Sequence, residues 1–99
     1  MKTLDIAVSE RDFRGAVVEL ANLLGWRHYH ALRSEGSSPG FPDLVLVRDG
    51  RVVFAAIKSE QGRLTHPQRL WLMALRQCRG VEVYEWRPSS WPQIERVLR

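Results

Sequence analysis

Residues 40–60 read GFPDLVLVRDGRVVFAAIKSE, two strand-length apolar runs about a short polar turn. Asp43 to Val47 and Val52 to Lys58 are strand-like runs, and Arg48-Asp49-Gly50-Arg51 between them holds the Asp-Gly pair that favours a tight hairpin turn. The two runs are therefore expected to be antiparallel neighbours. An aspartate at the start of one strand and a lysine at the end of its antiparallel neighbour converge on one end of the sheet. Positions 56 and 58 face the same way, because strand side chains alternate with period two. An acid at position 56, with Asp43 and Lys58, would complete two carboxylates and an ammonium, a set that holds Mg²⁺ and polarises a phosphodiester and its attacking water. Position 56 is alanine.

On the N-terminal side, Ser9 precedes a run in which Phe13, Val17, Leu20, Ala21 and Leu24 recur at helical spacing, ending at Gly25. This predicts an N-capped amphipathic helix closed by a glycine. Trp26 to Leu32 reads as a strand, and Arg33 to Gly40 is dense enough in turn formers to be a loop. Beyond the hairpin, Thr65-His-Pro-Gln68 has the form of a capping box, predicting a helix from His66 to about Arg79, stopped by Gly80. Val81 to Trp86 alternates as a strand, and Ser90-Trp-Pro-Gln93 repeats the capping-box form ahead of a short last helix. The order is αβββαβα, expected as one α/β domain over residues 1–99 with a central mixed sheet of about four strands flanked by helices.

Composition agrees with one domain: the 99 residues are 44% apolar and 26% charged. The longest apolar runs, Val52 to Ile57 and Leu70 to Leu75, are far shorter than the ~20 residues of a membrane span. Met1 to Ser9 lacks the apolar centre of a signal peptide. A soluble, cytoplasmic protein with no membrane partner is expected. Cys78 stands alone, which excludes an internal disulfide and a cysteine-based zinc cluster. A net charge of +4 leans toward an anionic partner such as nucleic acid.

Glu10, Gly25-Trp26, Tyr29-His30, Gly40-Phe-Pro-Asp43, Lys58-Ser-Glu-Gln-Gly62, Pro67-Gln68, Trp71-Leu72 and Val81-Glu-Val-Tyr84 occur in that order. Together they resemble a VRR-NUC domain, the virus-type replication-repair nuclease branch of the PD-(D/E)XK superfamily, from about Ser9 to Leu98. The resemblance implies a restriction-endonuclease-like fold and a nuclease dependent on Mg²⁺ or Mn²⁺. It makes Asp43 the metal-binding aspartate and Lys58 the lysine that positions or activates the hydrolytic water. Glu10 becomes the helix-borne acid, with Glu19 as the alternative, and the Ile57 carbonyl a further metal ligand. Gln68 matches a glutamine that supports the site or touches substrate. The Glu of the Glu-x-Lys motif falls at Ala56, so this sequence is expected to be inactive. An engineered Glu-to-Ala variant and a natural pseudo-nuclease both fit, and the retention of Asp43 and Lys58 favours the first.

Arg33, Ser37 and Ser38, ahead of the Pro-Asp turn, and Arg63 beyond Lys58 are candidate contacts to a phosphate backbone. His28 and His30 stand at strand spacing without a third nearby ligand, which argues against zinc. Leu70 to Leu75 covers every face of its helix, although packing on a sheet needs one apolar stripe, so a homodimer built partly on this helix is expected. Stand-alone family members resemble Holliday-junction resolvases, which makes branched DNA, and a four-way junction first, the expected substrate. Flap cleavage of the Fanconi-associated type and a non-catalytic branched-DNA-binding module are the alternatives. A bacterial or phage-infected cell is the expected setting.

Overall fold

The computed structural model describes residues 8–30 and 38–99. Helix α1 (Glu10–Leu23) begins where the Ser9 hydroxyl accepts the Asp12 amide hydrogen at 3.0 Å. Glu10 and Asp12 add negative charge to its first turn, the favourable end of the helix dipole. It buries Phe13, Val17 and Ala21 along one stripe. Gly25, at φ +84°, turns the chain into β1 (Arg27–His30).

Strands β2 (Leu44–Arg48) and β3 (Arg51–Ile57) pair antiparallel, with Arg48 opposite Arg51. Asp49 and Gly50 both take positive φ (51° and 80°), as the expected hairpin turn requires. Helix α2 (His66–Arg76) then carries the chain across to β4 (Val81–Trp86), which lies parallel to β3. The sheet order is β1-β2-β3-β4, so the expected mixed sheet of four strands is present.

A short 3₁₀ turn (Pro88–Ser90) leads into α3 (Trp91–Leu98). The second capping box does not form there. The Ser90 hydroxyl instead accepts the Arg87 amide hydrogen at 3.1 Å, closing the 3₁₀ turn, so it no longer caps α3. Helix α2 also ends three residues before the predicted Arg79. The Gln77 and Cys78 amides donate to Ala74 and Leu75, three residues back, and this tightening ends the α-helix.

The two faces of the sheet are covered differently. Leu44, Leu46, Val53, Ala55, Ile57 and Trp86 join Phe13, Val17 and Ala21 of α1 and Ile94 and Leu98 of α3 in one buried core. Alternation puts Val45, Phe54 and Ala56 on the opposite face. There Phe41 packs edge-on between Phe54 and Trp71 of α2, at 6.0 and 5.0 Å between ring centroids. At the other end of the sheet, the Trp26 indole donates to the Leu98 carbonyl at 2.9 Å, with Arg48 and Arg51 guanidinium groups over its ring. These contacts fix α1, the hairpin and α3 to one another, leaving the opposite end of the sheet to form the site.

Candidate active site

The approach to the site is set by Gly40. At φ +88° it sits against the first turn of α2, and a Cβ there would clash with the Pro67 carbonyl and the Gln68 nitrogen. Only glycine meets both conditions, and it feeds the chain through buried Pro42 into Asp43. The Asp43 carboxylate oxygen Oδ2 accepts the Ile57 amide hydrogen at 2.7 Å. With Leu44 opposite Ala55, Asp43 comes level with Ala56 at the end of the hairpin.

Leu44 and Ile57 point into the core, so Asp43, Ala56 and Lys58 belong to the other face of the sheet. Lys58 is half-buried at the mouth of β3, where its amide donates to the Trp86 carbonyl at 3.0 Å. Ala56, 2% exposed, offers only a methyl group between the aspartate and β4. The turn beyond Lys58 is pinned by Glu60, whose carboxylate accepts from the Ser89 amide at 3.0 Å and the Ser89 hydroxyl at 2.7 Å. The Ser89 hydroxyl, then its amide, hold the Glu60 carboxyl below the ordinary carboxylate range.

The remaining sequence candidates fall in different places. Gln68 adjoins Gly40, but its side-chain oxygen accepts from the Thr65 amide at 2.8 Å and so closes the cap of α2. Glu10 heads α1, on the core side of the sheet, and its carboxylate pairs with Arg14 at 3.6 Å. Glu19 is exposed further along the same helix. Ser38 and Arg63 are exposed, whereas Arg33 and Ser37 lie outside the described residues. The His28 and His30 rings stack on each other at 6.2 Å.

Sequence reading missed Glu85 and Arg87. Glu85 is the Cα partner of Ala56 on β4, and its carboxylate pairs with Arg87 at 2.9 Å. A parallel pairing formed across an intervening helix leaves no local signal of register, so nothing near residue 85 announces the juxtaposition.

The groups that the family resemblance assigns to the ion, the Asp43 carboxylate and the Ile57 carbonyl, are hard oxygens of the kind Mg²⁺ or Mn²⁺ takes. Among the described residues no three histidine, cysteine or acidic side chains converge on one point. With alanine at 56, the set falls short of what a hard cation takes from its protein ligands, and the site as it stands does not fit the ion.

A model of the VRR-NUC domain matches residues 8–88. The chain belongs to the VRR-NUC family. No curated protein and no solved structure matches it. The match runs from the turn before α1 to the start of the 3₁₀ turn and includes the whole sheet. VRR-NUC domains have the PD-(D/E)XK nuclease fold, and the mixed sheet with Asp43 and Lys58 at one end is that fold in this chain. The family implies nuclease-type function and contact with DNA.

Proposed function

We propose that this chain is a structure-specific DNA endonuclease domain of the Holliday-junction-resolvase type, dependent on Mg²⁺ or Mn²⁺ and inactive because position 56 is alanine. The observation that carries this reading is Asp43 level with Ala56 on the sheet face that also bears Lys58, with a single acid missing between them.

The roles follow from placement. The Ile57 amide, donating to Oδ2, orients the Asp43 carboxylate. The Lys58 ammonium offers a positive charge to a scissile phosphate and a donor to the attacking water. Exposed Ser38, five residues before Asp43, and exposed Arg63, five after Lys58, would meet the phosphate backbone. Ala56 contributes neither charge nor donor, so this chain is expected to bind DNA without cutting it.

A second copy completes the reading. Helix α2 buries Leu72 but leaves Leu70 and Met73 51% and 58% exposed. A second apolar face on a short helix favours a homodimer, whose two-fold axis would present two sites to a junction of matching symmetry. Ala56 itself favours the alternative of a non-catalytic module for branched DNA.

The test is cleavage of labelled four-way junction, 5′ flap and plain duplex by this chain and its Ala56→Glu form in Mg²⁺ and Mn²⁺. Cutting by the Ala56→Glu form alone, best on the junction, supports the proposal, and preference for the flap moves the substrate to the Fanconi-associated type. Junction binding without cutting by either form makes the chain a binding module.

A further inference from the structure

Strand β1, at the edge of the sheet, carries a large aromatic side chain on its surface: Tyr29 is 67% exposed. Its Cα partner on β2 is Val45, whose partner on β3 is Phe54. Residues opposite one another share a face, so Tyr29 joins Val45 and Phe54 on the face that bears Asp43 and Lys58. Phe41 stands over the Phe54 end of this row and is itself 41% exposed, while Val45 in the middle is half-buried. Two aromatic rings thus flank a low aliphatic residue. Other rings of the sheet are engaged: Phe54 meets Phe41, which also meets Trp71, and Tyr84 stacks on Trp86. Among the described residues, Tyr29 stacks on no ring.

This half of the face is open because one short helix cannot cover four strands. Helix α2 packs over β4 and reaches β3 through Trp71 and Phe41. Leu70 and Met73, assigned above to the dimer, belong to that helix and not to the open part of the sheet. Over β1 and β2 the face is left to Arg27, Tyr29, Val45 and Val47, three of them exposed. None of the four is acidic, and Asp43 stands only at the end of the row.

That chemistry selects the occupant. An aromatic and aliphatic surface with Arg27 on one side and Lys58 on the other suits a flat apolar group that carries a negative charge, which is a nucleobase with its phosphate. A second copy brought to this face by a two-fold axis would meet the same positive surface with no acid to answer it. Tyr29 and Asp43 are one strand and two residues apart, about 8 Å at Cα from the spacing and rise of strands. A nucleotide whose base rests on Tyr29 therefore keeps its backbone near the Asp43 end. In plain duplex the faces of each base are already stacked on their neighbours, so only an unpaired base can use the surface.

We propose that Tyr29 and Phe41 form a stacking platform for an unpaired nucleobase, with Arg27 on its phosphate, beside the Asp43 and Lys58 end of the sheet. The inference rests on the nuclease reading of that end. It narrows the substrate to DNA that offers an unpaired base, as a flap or an opened branch point does.

The test is fluorescence anisotropy with a labelled single strand of about 12 nucleotides and a plain duplex of the same sequence, at one fixed salt concentration. The intact chain is compared with Tyr29→Val, which keeps a strand-forming residue but removes the ring, and with Tyr29→Phe, which keeps the ring. Tyr29→Val is expected to weaken single-strand binding about 10-fold and to leave duplex binding within about 2-fold of the parent, with Tyr29→Phe equal to the parent on both.

Single-strand binding unchanged by Tyr29→Val overturns the platform, and so does an equal loss on single strand and duplex. A dimeric parent that Tyr29→Val turns into a monomer assigns the face to a second copy and overturns it too. A parent that does not bind the single strand overturns the platform as well. In each case the nuclease reading is decided separately, by whether the Ala56→Glu form cuts. If Tyr29→Val fails to fold, Tyr29→Thr takes its place with the same expectations.

Discussion

Lys58 and Asp43 owe their placement to where two strands end. Asp43 is anchored by the Ile57 amide, and Lys58 continues the same strand by one residue, so neither depends on a distant loop for its position. In the Ala56→Glu form, Lys58→Ala is expected to lower the junction cleavage rate about 100-fold or more, the usual scale for one positioned catalytic group. Junction affinity should fall far less, since phosphate contacts are many and individually small. A gel-shift titration beside the cleavage assay separates the two effects. Asp43, Lys58 and the gap at 56 were legible in the sequence because period-two alternation and the Asp-Gly hairpin fix their relative positions within one local unit. Glu85 was not legible, because its register with Ala56 depends on how α2 returns the chain to the sheet. Glu10 and Gln68 matched in order along the chain, yet their side chains answer to local partners, Arg14 and the Thr65 amide.

The elements next to the site are held by backbone chemistry that the sequence announced in one helix and concealed in another. Thr65 and Gln68 form a complete capping box at α2, as their spacing predicted. Thr65→Ala should therefore cost about 1 kcal/mol in chemical denaturation. Ser90 has the same flanking pattern but spends its hydroxyl on Arg87, because Pro88 starts a 3₁₀ turn that reaches it first. Ser90→Ala consequently acts through that turn and not through the cap of α3. Gly40 carries the larger penalty. Its positive φ and its contact with Pro67 and Gln68 mean that Gly40→Ala strains the backbone and pushes α2 away from the Asp43 turn. A loss of about 1–3 kcal/mol is expected, and a denaturation midpoint equal to that of the parent would contradict the packing described.

Among the described residues, the core side of the sheet is closed by α1 and α3, while the site side is covered by one short helix. That asymmetry underlies the expected dimer. Light scattering at micromolar concentration should give about twice the 11.5 kDa chain mass, and Met73→Asp should return it to one. The core side carries its own acid sensitivity. Glu82 on β4 accepts two 2.7 Å bonds from Arg51 and one from the Tyr84 hydroxyl at 2.8 Å. The bonds from Arg51, more than burial opposes, hold its carboxyl below the ordinary range. A depressed folded value means the stabilisation is fully present above the unfolded carboxylate range, near pH 4, and is lost as pH falls through the folded value. Glu82→Gln should therefore cost stability at neutral pH, cost less under acid, and flatten the acid limb of thermal unfolding.

Cleavage of a labelled four-way junction by the parent and by Ala56→Glu, side by side in Mg²⁺, is the decisive comparison. An inactive or barely active parent and a rate at least about 100-fold higher for Ala56→Glu are expected. A folded Ala56→Glu protein that binds the junction and leaves it intact would contradict the claim that one missing carboxylate separates this chain from a working nuclease.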